Sequence, residues 1–257
     1  MHGPETVQKA FDLAASGLTQ AEIARALGIG PTTVSRWLGR GRQAVLGSPM
    51  RSRATDGCPA RCAVVDDVPP APYAYLLGQY LGDGTIVLTR RNVHRLFVSC
   101  CAAYPGIVEE CVQAIRAVLP DNLVGRRART GVVEVSCYST HLPCLFPQHG
   151  PGKKHSRPIV LAPWQAALAL DAHPDRFVRG LIHSDGCRST NRVRGRNGRS
   201  YEYVRYQFCN RSDDIRGLFC EACDRLGVEW RRMNAVTISV ARSASVSRLE
   251  AIVGPKA

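Results

Sequence analysis

Asp83 and Asp185 each close an apolar segment and each precede a glycine: Tyr75-Leu76-Leu77-Gly78-Gln79-Tyr80-Leu81-Gly82-Asp83-Gly84 and Phe177-Val178-Arg179-Gly180-Leu181-Ile182-His183-Ser184-Asp185-Gly186. A carboxylate at the C-terminal end of a helix is disfavoured by the helix dipole, whereas a cation held there is favoured. Two such ends side by side would repel each other unless cations lay with them. Mg²⁺ takes carboxylates together with waters and phosphate oxygens, and two ions that clamp attacking and leaving oxygens suit in-line hydrolysis of a phosphodiester. A single Asp-Gly is a common exit from a helix into a turn. Its recurrence in two alike segments is what points to metal chemistry.

Cationic residues gather in two further places. Between Cys187 and Arg211 stand seven arginines (Arg188, Arg192, Arg194, Arg196, Arg199, Arg205 and Arg211) against one acid, Glu202, with Tyr201, Tyr203 and Tyr206 interleaved. The stretch reads as a long β-hairpin, a ribbon that can enter a major groove with arginine reading guanine and phosphate. An earlier, weaker counterpart holds Arg90, Arg91, His94 and Arg95, then Arg126, Arg127 and Arg129. Lys153, Lys154 and Arg157 lie in HGPGKKHSRPIVLAPW, between the two halves.

The other candidate ligands give less. Cys58 and Cys62 (CPARC) have no second pair near them in the chain, and structural zinc takes four ligands, so no zinc site is expected there. His141, His149, His155, His173 and His183 share no metal-ligand spacing with a carboxylate and are expected to be structural. Cys220 and Cys223 fall within an amphipathic helix pattern and read as core.

The elements that must position the aspartates repeat as well. Small residues stand four apart, Gly78 with Gly82 and Gly180 with Ser184, so each segment, read as a helix, has a face without bulk where two backbones can meet. After the first come strands Ile86 to Leu88 and Leu96 to Cys100, a helix from Ile107 to Leu119, then strands Leu123 to Arg126 and Val132 to Cys137. After the second come Tyr201 to Cys209, a helix from Ile215 to Leu226, then Val228 to Arg232 and Val236 to Val240. Each copy reads αββαββα. Duplication at about 100 residues predicts a pseudo-twofold α+β domain, the symmetry a single chain needs to address both strands of a duplex.

A smaller all-α module precedes it. Val7, Ala10, Phe11, Leu13 and Ala14 share one face of a helix over residues 5 to 16, ended by Gly17. Thr19 is placed as N-cap of a second helix with Glu22 closing a capping box, and Ile23, Ala24 and Leu27 form its apolar face. Gly28-Ile29-Gly30 makes the turn, and Pro31 opens a third helix with Val34, Trp37 and Leu38 inward. Thr32, Thr33, Ser35 and Arg36 remain outward, where short polar and arginine side chains suit a major groove. The predicted domains are therefore a helix-turn-helix module at 1–43, a linker at 44–72 and a duplicated body at 73–257, with repeats at 73–148 and 163–253.

The stretch SGLTQAEIARALGIGPTTVSRWLGRGR resembles the helix-turn-helix of resolvases and many bacterial regulators. Residues 73 to 253 resemble the LAGLIDADG homing endonucleases of the two-motif, single-chain type, with Leu76 to Gly84 and Val178 to Gly186 as the two signature nonapeptides. The sixth signature position departs, being Leu81 and His183 rather than acidic. That resemblance implies a saddle of two sheets over DNA and a catalytic set of Asp83, Asp185 and Lys154. It further implies metal ligation by Asp83, Asp185, Gly82 and Ser184, with Mg²⁺ or Mn²⁺ as cofactor. Lys154, with Lys153 beside it, matches a glycine-lysine element that stabilises charge near the scissile phosphates. Expected DNA contacts are Thr32, Thr33, Ser35, Arg36, Lys153, Arg188, Arg192, Arg194, Arg196, Arg199 and Arg205.

The composition accords with this. Thirty-four Lys and Arg against 21 Asp and Glu give a net charge of +13 over 257 residues, which favours a polyanionic partner. Eleven irregularly spaced cysteines suggest reduced thiols, and no signal peptide or apolar run of membrane length is evident, so a cytoplasmic, nucleoid-associated protein is expected. No P-loop, dinucleotide fingerprint or serine-nucleophile elbow is found. The expected activity is site-specific double-strand DNA cleavage by a monomer, with no obligate protein partner and from a free-standing gene. The alternative is a helix-turn-helix transcription regulator whose degenerate LAGLIDADG domain only binds DNA. A recombinase is disfavoured because no serine or tyrosine nucleophile context is present.

Overall fold

A computed structural model describes residues 4–40, 62–194 and 199–254. The chain forms two compact units, Met1–Gly57 and Cys58–Ala257.

In the first unit, α1 (Pro4–Ala15), α2 (Gln20–Leu27) and α3 (Pro31–Arg40) enclose a small core of Ala10, Ile23, Ala24, Ile29 and Val34. The capping box forms as the spacing requires: the Glu22 amide donates to Thr19 Oγ1 at 3.4 Å and the Thr19 amide donates to Glu22 Oε2 at 2.8 Å. The Thr19 hydroxyl, which donates to Glu22 Oε2 at 2.7 Å, and then the Thr19 amide hold the Glu22 carboxyl below its ordinary pKa. Gly28 ends α2 at φ 63°, in the left-handed region that a side chain resists. On α3, Val34 is buried, Trp37 and Leu38 pack on the core, and Thr32 and Ser35 are exposed, with Thr33 half-buried. The side chain of Arg36 lies outside the described ones.

The second unit begins with α4 (Ala63–Asp66) and then two copies of one plan. Copy one is α5 (Pro70–Asp83), β1 (Gly84–Leu88), β2 (His94–Cys101), α6 (Pro105–Val118), β3 (Gly125–Arg129), β4 (Val132–Ser139) and α7 (Leu142–Leu145). A linking stretch holds α8 (Pro163–Ala166) and a π-helical turn, Ala167–Ala172. Copy two is α9 (Pro174–Asp185), β5 (Gly186–Arg194), β6 (Ser200–Cys209), α10 (Asp213–Arg225), β7 (Arg231–Arg232), β8 (Thr237–Val240) and α11 (Ser243–Val253). The sheets are antiparallel and share one order, β1-β2-β4-β3 and β5-β6-β8-β7.

Some boundaries differ from the sequence reading. The first signature helix starts at Pro70, because a proline in the first turn surrenders an amide that has no partner there. Strand β3 begins at Gly125 rather than Leu123, whose side chain is 92% exposed, since the strand runs only where β4 pairs with it. Strand β7 shrinks to two residues. The closing helix of copy one is only four residues long, against eleven in copy two.

Alternation sorts the strands into faces. Leu96, Val98, Cys100, Val135 and Cys137 of the first sheet, and Tyr206, Phe208, Ile238 and Val240 of the second, turn onto one continuous core with the helices. Cys220 and Cys223 belong to that core, and burial pushes the Cys220 thiol up to about 11. The opposite sheet faces carry the polar residues. Among the described residues, no helix is long and apolar enough to cross a membrane.

Candidate active site

The two signature helices meet along their small residues. A Cβ added to Gly78 would lie 2.6 Å from the Phe177 carbonyl oxygen, and one on Gly180 would strike the Tyr75 carbonyl. One on Gly82 would run into the Ser184 side chain and come within 3.1 Å of Asp185 Oδ2. Backbone therefore packs on backbone, and the two C-terminal ends lie together. A bidentate pair locks the helices to their surroundings: Arg179 Nε donates to Glu110 Oε1 at 2.7 Å and Arg179 Nη2 donates to Glu110 Oε2 at 2.8 Å, joining α9 to α6 of the other copy.

Two clefts flank the helix ends, and each takes one aspartate. Asp83 lines a cleft with Ser184, Gly186, Arg188, Tyr206 and Glu250. Asp185 lines the other with Gly82, Gly84, Lys153, Lys154, Arg157 and Asn210. The four residues expected to ligate metal thus divide into two crossed sets, each an aspartate of one helix with the penultimate residue of the other. Asp185 is oriented by Asn210, whose Nδ2 donates to Oδ2 at 2.6 Å and whose Oδ1 accepts from the Ser212 amide at 2.8 Å. Sequence reasoning missed Asn210, since a lone asparagine before a helix carries no spacing signal. The Ser184 hydroxyl turns back on its own helix, donating to the Gly180 and Leu181 carbonyls at 3.1 and 3.0 Å.

Lys154 stands in the cleft that Asp185 lines. Its ammonium donates to the carbonyls of Tyr80, Gly82 and Gly84 at 2.5, 2.6 and 2.8 Å and lies over the Tyr80 ring. An ammonium has three N–H donors, so these bonds use all of them. Lys154 is a cationic cap on the first signature helix, where the dipole favours positive charge. Burial lowers its pKa to about 8, against the pull of Asp185 and Asp83 and with the push of Arg157. Lys153 is exposed and lines the same cleft. Arg157 shapes the loop, its Nη1 donating to the Gly152 carbonyl at 2.8 Å.

The histidine in the sixth signature position is buried at the edge of the Asp83 cleft. His183 Nδ1 lies 3.1 Å from the Tyr75 hydroxyl and Nε2 lies 3.1 Å from the Val253 carbonyl.

The arginines of the hairpin divide between its faces. The register pairs Arg188 with Tyr206, Arg192 with Glu202 and Arg194 with Ser200, all on the helix side. There Arg188 is tied to Glu250 of α11 at 2.6 Å, and Arg192 to Glu202 at 2.5 Å. Arg205 pairs with Ser189 and shares the open face with Asn191, Tyr203 and Gln207. Arg199 is exposed ahead of β6, and Arg196 lies outside the described residues, as does Cys58. In the first sheet the open face holds Arg95, Arg127 and Arg129, of which Arg95 and Arg129 pair with Glu134 at 3.4 and 3.2 Å.

Residues 4–45 match the family described as Sigma-70, region 4. That match falls on the helix-turn-helix, which the sequence likened to resolvases and bacterial regulators. No match is found among curated proteins. Among solved structures, mesophilic variants of the homing endonuclease I-DmoI align with a TM-score of 0.49 and 13% identity, over 74% of this chain and 97% of that one. The LAGLIDADG meganuclease I-AabMI bound to uncleaved DNA aligns at 0.44 and 13%, over 70% and 82%. The LAGLIDADG homing endonuclease I-SmaMI bound to cleaved DNA aligns at 0.46 and 9%, over 71% and 83%.

Proposed function

We propose that the chain binds double-stranded DNA and cleaves both strands at a defined site with Mg²⁺ or Mn²⁺. The observation that carries the reading is the crossed pair of clefts, each offering a carboxylate of one signature helix beside the end of the other. Hard oxygen donors of this kind fit Mg²⁺ and Mn²⁺. When bound, the metal supplies Lewis acidity at the phosphoryl oxygens and a water of lowered pKa.

The chain's own residues do the remainder. Asp83 and Asp185 hold the two sites, and Asn210 fixes the rotamer of Asp185. Lys154 positions the end of the first helix, and exposed Lys153 meets the phosphate in the same cleft. The open faces of the two sheets lie along the duplex, with Arg205, Asn191, Tyr203 and Gln207 reading or gripping it. Thr32, Thr33 and Ser35 of the helix-turn-helix enter a second stretch of groove, and tethering raises the effective concentration of the nuclease at its target. The chain acts as a monomer, since one polypeptide carries both half-sites.

A second reading has its own support in the match to a sigma-70 region: a regulator that binds DNA without cutting it. One experiment separates the two. Purified full-length protein is incubated with a randomised duplex library in Mg²⁺ or Mn²⁺, beside Asp83→Asn and Asp185→Asn. Double-strand breaks at one site, reduced to nicks or lost in the variants, are expected. Salt-sensitive, sequence-selective binding with no cut in either metal would replace the nuclease by the regulator.

A further inference from the structure

A third group of metal-binding side chains lies away from the two clefts. Cys62, His141 and Cys144 place a ligand atom each within 4.8 Å of the others, and Cys62 Sγ stands 3.3 Å from His141 Nδ1. Cys62 and His141 are 79 residues apart, so the fold and not local sequence brings them together. Zinc held by sulfur at ~2.3 Å and nitrogen at ~2.0 Å in a tetrahedron sets S···N near ~3.5 Å and S···S near ~3.8 Å. The Cys62–His141 span of 3.3 Å is close to the first of these, and the remaining spans stay within 4.8 Å. Two thiols with an imidazole are a soft donor set, which selects zinc over the magnesium or manganese suited to carboxylates.

The surroundings fit a structural role. Cys62 is the N-cap of α4, a helix of four residues that could not persist alone in water, and His141 and Cys144 stand at the start of and within α7. Neither helix is fixed by a side-chain cap bond. We infer that Cys62, His141 and Cys144 bind one zinc ion that staples α4 to α7. The site thereby fastens the start of the second unit to the end of its first repeat. The sequence reading, which saw only Cys58 and Cys62, expected no zinc because it looked for the remaining ligands nearby in the chain. The fourth corner goes to water. Cys58 lies outside the described residues and is not counted in the site.

The inference stands apart from DNA cleavage, and its test uses no DNA. Full-length protein purified with thiol reductant and zinc is passed through gel filtration and its metal measured. One zinc per chain is expected, falling at least tenfold in Cys62→Ser and Cys144→Ser but not in Cys101→Ser. Cobalt loaded in place of zinc should show tetrahedral d–d absorption and charge-transfer intensity from at least two thiolates, and His141→Ala should alter the former while keeping the latter. Should the variants fail to fold, alkylation of the native protein decides. Cys62 and Cys144 should be protected with zinc and labelled once a chelator removes it. A zinc-free protein, an octahedral cobalt spectrum, or equal labelling of both cysteines with and without chelator would overturn the site.

Discussion

The two copies of the repeat share strand order and helix packing but not their chemistry. At the end of the first signature helix, Lys154 satisfies three carbonyls and the penultimate residue is a glycine. The second helix ends in a serine bonded to its own backbone and an aspartate steered by Asn210. The open sheet face of copy one carries a buried carboxylate, Glu134, which takes both Arg95 and Arg129, with exposed Arg127 beside them. Copy two extends a hairpin of nine and ten residues beyond the core and leaves Arg205 on the open face. Duplication thus preserved what holds the helices together and let the surroundings of each carboxylate diverge. Under the proposed function, two unlike half-sites suit an asymmetric target and unequal handling of its strands.

The largest effect should come from the carboxylates. Asp83→Asn or Asp185→Asn removes the charge that holds a cation at one cleft, and double-strand cutting should fall on the order of 10³-fold. Because the clefts differ, the residual activity should differ too. Supercoiled plasmid carrying the target should yield nicked circles in one variant at a higher rate than in the other. Equal residual nicking by both variants would mean that the asymmetry around Asp83 and Asp185 is without consequence for the reaction.

The helix interface should behave in the opposite way. Gly78→Ala and Gly180→Ala both force a methyl against backbone that cannot yield, with nearest atoms in the facing helix. Overpacking of this kind should cost about 3 kcal/mol in either position. Urea unfolding measures it, and a variant as stable as the parent would show that the backbones can part at little cost.

Lys154 distinguishes the copies by pH. Its folded pKa of about 8 lies below the ordinary 10.5, because burial disfavours the ammonium. Above pH 8 the folded protein sheds a proton that the unfolded chain keeps, so this residue's contribution to stability rises from about 8 toward 10.5 and is constant below. In metal-free protein, the stability of the parent minus that of Lys154→Met should climb by about 3 kcal/mol over that window. A difference independent of pH would place the ammonium in water rather than against the three carbonyls.

These effects mark how far sequence could lead. The paired helices, the capping box at Thr19 and the succession of elements in each copy follow from local periodicity and from small residues four apart, so they were legible; the order of the strands within each sheet was not. Lys154 was found as a lysine near the site, but its three carbonyl partners lie about 70 residues away and no spacing rule connects them. Cys62 with His141 and Cys144 fails to show for the same reason. The arginine-rich hairpin was legible as charge but not as geometry, because charge density says nothing of which face each side chain takes until the register is known.

That last distinction gives the smallest and sharpest test. Arg205 faces away from the helices, held near the Tyr203 ring with its guanidinium 5.7 Å from the ring centre. Arg188 faces the helices and is neutralised by Glu250, which also raises its pKa through a hydrogen bond. If the open faces carry the duplex, Arg205→Ala should weaken DNA binding about tenfold and reduce the salt slope by about one. Arg188→Ala should change affinity less than about twofold, as an exposed ion pair contributes little elsewhere. Fluorescence anisotropy across a salt series measures both. The reverse ranking would put DNA on the helix side of the second sheet, and the saddle would have to be abandoned for a surface that includes α11.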